Sequence, residues 1–145
     1  MTVDMMKRLF VRALQTEDHI FSDYDASDDS TVVVTMNGDN LSTINLYISF
    51  NCTDGGSMQV LINNFDLPNF SDNKVAGILT CNKCNDDELV KYYIDDEDDT
   101  VVQCVLMYNA YDISSEYSAG QVLIHATTMA LSVDEVYPLF RQMSN

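Results

Sequence analysis

From Thr43 to Phe50 the chain alternates without a fault, with Ile44, Leu46, Ile48 and Phe50 on one side and Thr43, Asn45, Tyr47 and Ser49 on the other. A period of two is the mark of a β-strand that buries one face and leaves the other polar. Such a strand belongs to an antiparallel sheet, because sheets buried on both faces carry continuous apolar runs instead. The neighbouring segments agree. Thr31 to Met36 is β-branched almost throughout, and Asn37-Gly38-Asp39-Asn40 after it is a turn by composition. Asp54-Gly55-Gly56-Ser57 turns the chain again into a strand from Met58 to Phe65. Leu89 to Ile94 and Thr100 to Tyr108 read as two further strands joined by the acidic turn Asp95 to Asp99. The polar stretch Glu17 to Ser30, interrupted by Ile20, Phe21 and Tyr24, reads as a short edge strand and a loop.

Helical spacing appears in three places. Thr2 caps a first helix in which Val3, Met6, Leu9, Phe10 and Ala13 form one stripe, and Lys7, Arg8 and Arg12 a basic face. A second helix is expected from an N-cap at Ser71, through Val75, Ile78 and Leu79, to about Asn85. A last helical region runs from Ser114 or Ser115 towards Met143. Ser132 and Glu135 fit a capping box there, and Leu131 and Val136 a hydrophobic staple, which leaves open whether the helix is broken near Ser132. Pro138 removes a helical hydrogen bond in the final turns. The sequence therefore predicts one α+β domain over residues 1–145. Its antiparallel sheet has about five strands, in the order α-βββ-α-ββ-α, with helices packed on one face.

Charge narrows the function. Seven basic residues against 23 acidic ones give −16 in a chain of 145 residues, whereas small domains are comfortable at a magnitude of about 2–8. Such a surface repels nucleic-acid phosphates and anionic membranes, and suits a basic protein partner or plain solubility. Lys7, Arg8 and Arg12 interrupt the apolar residues of the N-terminus, so no signal-peptide core is expected, and no stretch reaches a membrane span. A cytoplasmic location is the expectation.

Asn82-Lys83-Cys84-Asn85, followed by Val90-Lys91-Tyr92-Tyr93-Ile94-Asp95 and the strand Val101 to Leu106, resembles the YbjN family of bacterial sensory-transduction regulators. Val136-Tyr137-Pro138-Leu139 is similar to that family's C-terminal helix, and the likeness covers roughly Asn45 to Arg141. The resemblance implies a fold similar to type III secretion chaperones, often dimeric and able to hold a non-globular client segment. It implies no catalytic residues. Asp98-Asp99 stands where the family commonly has a glycine, and cysteines flank the paired asparagines.

Candidate chemistry is sparse. Cys81 and Cys84 form a C-x-x-C pair, but at the end of the second helix, where the dipole and Asp86, Asp87 and Glu88 all favour the unreactive thiol. As half a zinc site the pair needs two more ligands, which Cys52, Cys104, His19 and His125 would supply only if the fold gathered them. Asp95, Glu97 and Asp99 imitate the start of a calcium loop, but Thr100 and Leu106 stand where its glycine and glutamate belong. His125 sits in an apolar helical run and reads as a core or interface residue. No phosphate loop, dinucleotide fingerprint or nucleophile elbow appears. Tyr47, Tyr92, Tyr93, Tyr108, Tyr111 and Tyr117 lean towards a binding surface.

The expectation is a non-enzymatic, chaperone-like or regulatory protein-binding module. It would act as a homodimer on a protein partner, with no catalytic, cofactor or metal residues and no nucleic-acid, membrane or small-molecule partner. The alternatives are an acidic nucleic-acid mimic that blocks a basic protein, with the carboxylates of Glu17–Asp29 and Asp86–Asp99 along one face, and a thiol or zinc protein using Cys81 and Cys84.

Overall fold

The computed structural model describes residues 2–54, 57–85, 90–109 and 115–144. It is α+β, in the order α1 (Val3–Thr16), β1 (Asp23–Asp25), β2 (Thr31–Met36), β3 (Ile44–Cys52), β4 (Met58–Asn64), α2 (Lys74–Cys84), β5 (Lys91–Ile94), β6 (Val101–Asn109), α3 (Ser115–Ser144). The strands form one open sheet in the order β1-β2-β3-β4-β6-β5, antiparallel at every pairing. Register follows the alternation: Ile48 lies opposite both Val32 and Ile62, so the apolar sides of β2, β3 and β4 point the same way. Onto that side pack Met6, Phe10 and Leu14 of α1 and Ala119, Val122, Ala126, Met129, Ala130, Val133 and Phe140 of α3, all buried. α3 lies in the middle of the helical layer and touches both α1 and α2. Alanines at three of its inward positions let a helix of 30 residues run close over the sheet.

Two polar clusters fix α3. Gln103 of β6 is fully buried, yet every group of its amide is used. Its Oε1 accepts from Asn64 Nδ2 at 3.2 Å, and its Nε2 donates to the Met129 carbonyl at 2.9 Å and the Tyr92 hydroxyl at 3.3 Å. The Tyr92 hydroxyl in turn meets Ser132 Oγ at 2.8 Å. The second cluster is the Asp134 carboxylate, which accepts from the backbone N–H groups of Asp39, Asn40 and Leu41 at 3.0, 2.8 and 2.9 Å. Pro138 cannot donate to the Asp134 carbonyl four residues earlier, and Asn40 Nδ2 takes that place at 3.0 Å. The β2–β3 turn is thereby tied to α3 through both the side chain and the backbone of one residue. Gly38 makes room for it, since a Cβ there would lie 2.3 Å from Asp134 Oδ1 and 2.6 Å from the Leu41 carbonyl.

Two sequence expectations need correction, and one open question is closed. The sheet has six strands rather than about five; the short edge strand expected within Glu17 to Ser30 is present as Asp23–Asp25, paired with Val33–Thr35, in addition to the other five. α2 starts at Lys74 with Asn73 as its cap, not at Ser71. Asn73 Oδ1 accepts from the Ala76 N–H at 3.2 Å, while Ser71 is held in the preceding turn by Asn69 Oδ1 at 2.8 Å. α3 is unbroken at Ser132, whose hydroxyl is spent on Tyr92, and the buried Met129, Ala130 and Val133 carry the helical register across. The remaining strands match their expected positions to within about two residues, although Gly55, Gly56 and the stretch 86–89 lie outside the described residues.

Burial would raise the Asp134 pKa, but its three backbone donors outweigh that and hold it below the ordinary 3.8. Asp134→Ala is expected to lower the unfolding free energy at pH 7 by about 2 kcal/mol, read as a lower urea midpoint. A depressed carboxyl contributes fully above its ordinary value and loses its contribution as pH falls through the lowered one. The gap between wild type and variant should therefore begin to narrow as pH falls below 3.8 and close only beneath the lowered pKa.

Candidate protein-binding surface

All three helices cover one side of the sheet, which leaves the other side bare. On that side β2 presents Thr31, Val33 and Thr35, β3 presents Asn45, Tyr47 and Ser49, and β4 presents Gln59, Leu61 and Asn63. On β6 the same side continues with Val102, which is only 1% exposed, and half-buried Cys104, so the open part of the face lies over β2, β3 and β4. None of these residues carries a charge, in a chain where 21% of residues do. Burial pushes up both the Cys104 thiol and the Tyr93 phenol. Charges begin at the rim, with Asp23 and Asp25 on β1, Asp66 after β4, and Lys91 on β5.

Much of the face's polarity is already paired. Thr31 Oγ1 lies 3.1 Å from Ser49 Oγ, Thr35 Oγ1 donates to Asn45 Oδ1 at 2.8 Å, and Asn51 Nδ2 donates to Gln59 Oε1 at 3.4 Å. Covering such a surface costs less than covering polar groups that must give up water. Tyr47, 39% exposed, and Phe65, 47% exposed, stack against each other with ring centroids 5.5 Å apart. Tyr93, exposed on the outer strand, stands opposite Val102. Half-exposed aromatic rings on a neutral ground are the composition of an interface centre.

The sheet's edges are closed to further strands. At β5 the Asn85 carboxamide acts as a strand neighbour, accepting from the Tyr92 N–H at 2.7 Å and donating to the Tyr92 carbonyl at 2.9 Å. β1 at the other edge is three residues long and carries two aspartates. Short, charged or covered edges resist strand addition.

The residues singled out for chemistry do not converge. Cys81 is buried and Cys84 half-buried at the C-terminal end of α2, while Cys52 is exposed at the end of β3, and none of the four cysteines is in a disulfide. Burial, aided by Cys84, pushes the Cys81 thiol up to about 11. His19 has both ring nitrogens engaged, Nε2 with the Leu14 carbonyl at 2.7 Å and Nδ1 with the Phe21 N–H at 3.1 Å. His125 lies half-buried on α3, and burial lowers its pKa. Among the described residues no three His, Cys, Asp or Glu side chains gather as a metal site.

In the Asp95–Asp99 turn two carboxylates brace the loop and a third ties it to α2. Asp95 accepts from Glu97 N–H at 2.9 Å, Asp98 from Thr100 N–H at 3.0 Å, and Asp99 pairs with Lys74 Nζ at 2.9 Å. Asp99 takes φ 59°, the left-handed conformation that glycine usually supplies. The acidic stretch around β1 and this turn lie at opposite edges of the sheet, about 24 Å apart at about 4.8 Å per strand, so they do not form one row. Two shallow depressions between α1 and α3, of about 320 and 340 Å³, are lined by Arg12, Glu17 and Asp18 as their only charged groups, and no His, Cys or Lys lines either among the described residues.

Of the tyrosines read as interface residues, Tyr47 and Tyr93 are exposed, whereas Tyr92 is buried in the Gln103 network. Tyr111 lies outside the described residues. The sequence alone leaves open whether a helix stripe or this sheet face is the surface presented. The signal for the face was present in Thr43, Asn45, Tyr47 and Ser49: a polar side with no charge in a strongly acidic chain. Compared with known protein families the chain matches none, and no curated protein matches it. No helix among the described residues is long and apolar enough to cross a membrane.

The thiol assignment is directly measurable. At pH 8 a thiol titrating near 11 is only about 0.1% thiolate. Alkylation followed by mass spectrometry should modify exposed Cys52 readily and Cys81 only after denaturation. Rapid native modification of Cys81 would contradict the burial described.

Proposed function

We propose that this chain is a non-catalytic protein-binding module, chaperone-like or regulatory, that acts in the cytoplasm as a homodimer and holds a protein segment on the bare sheet face. The observation that carries the proposal is that β2, β3, β4 and β6 put no charged residue on that face in a protein of net charge −16, its charges there being Asp23, Asp25 and Lys91 on the two edge strands. A surface kept only for solubility has no reason to exclude Asp and Glu from its broadest flat region. The preferred segment is apolar or aromatic at its centre, to cover Tyr47, Leu61, Phe65 and Tyr93, and basic at its ends, to meet Asp23, Asp25 and Asp66 at the rim.

The family likeness points the same way. The YbjN resemblance includes the α2–β5–β6 region, and its Asn85 is the residue that closes the β5 edge. A fold similar to type III secretion chaperones would give such a face a client-holding role. We adopt that likeness as part of the proposal.

Affinity capture from the native cytosol, with wild type and a Tyr47→Asp/Phe65→Asp variant side by side, tests it. Both side chains are half exposed, so the variant should keep the wild-type fold by circular dichroism. The expected result is a specific bound protein whose recovery falls at least about tenfold in the variant, or about 1.4 kcal/mol. Equal recovery by both proteins would remove the sheet face as the binding site.

A further inference from the structure

We propose that Asn37 is a deamidation site, that the Asp134 carboxylate keeps its ring closure shut while the protein is folded, and that the isoaspartate product can no longer be tied to α3. Asn37 is the only asparagine in the chain followed by glycine, and it is exposed at the start of the β2–β3 turn. Asparagine is a thermally labile residue. The reaction is fastest before glycine, which has no side chain to hinder the attacking nitrogen.

The chemistry needs only water. The backbone nitrogen of Gly38 attacks Cγ of Asn37, the new C–N bond closes a cyclic imide, and the Cγ–Nδ2 bond breaks. Ammonia leaves with the proton that Gly38 gives up. Water then opens the imide at either carbonyl. One product has aspartate at position 37. The other is isoaspartate, in which the main chain runs through the side-chain carbon and is one methylene longer.

The folded turn opposes every requirement of the first step. The Gly38 nitrogen must turn towards Asn37 Cγ, yet its N–H donates to the Leu41 carbonyl at 3.0 Å. Gly38 cannot swing, because it is pressed against Asp134: a Cβ there would lie 2.3 Å from Asp134 Oδ1. The next three N–H groups, of Asp39, Asn40 and Leu41, are held by the same carboxylate. The attacking nitrogen also gains negative charge as it loses its proton, and the carboxylate beside it disfavours that charge. An attacking geometry is therefore reached only when the turn lets go of α3. Once isoaspartate forms, the added methylene shifts residues 39–41 relative to Asp134, and their three donors no longer converge on it.

Mass-spectrometric peptide mapping of the full chain, incubated at neutral pH and sampled over time, tests this. Folded wild type should lose the Asn37 amide at least about tenfold more slowly than wild type unfolded in urea. Asp134→Ala should stay folded by circular dichroism and lose the amide at least about tenfold faster than folded wild type. Val60→Ala truncates the core at the other end of the sheet, opposite Phe50, and should be less stable yet keep the wild-type rate. Protein carrying isoaspartate at position 37 should unfold at or below the urea midpoint of Asp134→Ala. Equal rates in folded and unfolded wild type would overturn the lock, and an unfolded chain that keeps its amide would overturn the site. A Val60→Ala rate equal to that of Asp134→Ala would trace the opening to global unfolding and also overturn the lock. An isoaspartate form as stable as unmodified wild type would overturn the untying from α3.

Discussion

The buried amide of Gln103 is the interaction on which the rest of the architecture turns. It lies between Asn64 on β4 and Tyr92 on β5, and its two donors reach the Tyr92 hydroxyl and the Met129 carbonyl of α3. A fully buried amide is tolerated only when all its groups are bonded, so α3 cannot slide or rotate over the sheet without leaving one of them bare. Apolar contacts alone would accept many placements of an alanine-lined helix. The network, and the Asp134 carboxylate at the β2–β3 turn, select one. With α3 fixed in the middle of the layer, α1 and α2 fill the space on either side, and the helical layer is spent on one face of the sheet.

Two consequences follow for the surface. Among the described residues no helix covers the opposite face over β2, β3 and β4, and its composition matches that exposure in an unusual way. Among the described residues its inner strands are uncharged and hydrogen-bonded across the face, with Tyr47 among them and charges on the two edge strands. The small space left beside β5 and Phe70, where a Cβ on Gly77 would lie 2.6 Å from Ile94 Cδ1, then forces Val75, Ile78 and Leu79 of α2 outward. Both surfaces follow from packing constraints rather than from a chemical motif.

Much of this was legible in the sequence, for identifiable reasons. The β3 alternation, the Thr2 cap and the β-branched run of β2 are local patterns that fix local structure, and each holds in the fold. β1 was harder to read because only Tyr24, between two exposed aspartates, packs against the core, so three residues offer no periodicity. The Ser132–Glu135 capping pattern left the continuity of α3 open because the partner that claims Ser132 is Tyr92, 40 residues away. Asp134 had no local signal at all, since its three partners lie 93 to 95 residues earlier. The pattern gave the apolar side of each strand readily, but the meaning of the other side depended on which face three separate helices would choose.

The account stands on the claim that one side of the sheet is open to solvent in the isolated protein. Hydroxyl-radical footprinting of a dilute sample, read residue by residue by mass spectrometry, measures this directly. Tyr47, Phe65 and Tyr93 should be oxidised quickly, while Tyr92, Phe70 and Phe140 stay protected until the chain unfolds. Protection of Tyr47 and Phe65 equal to that of Tyr92 would mean that the face is covered, and would contradict the account.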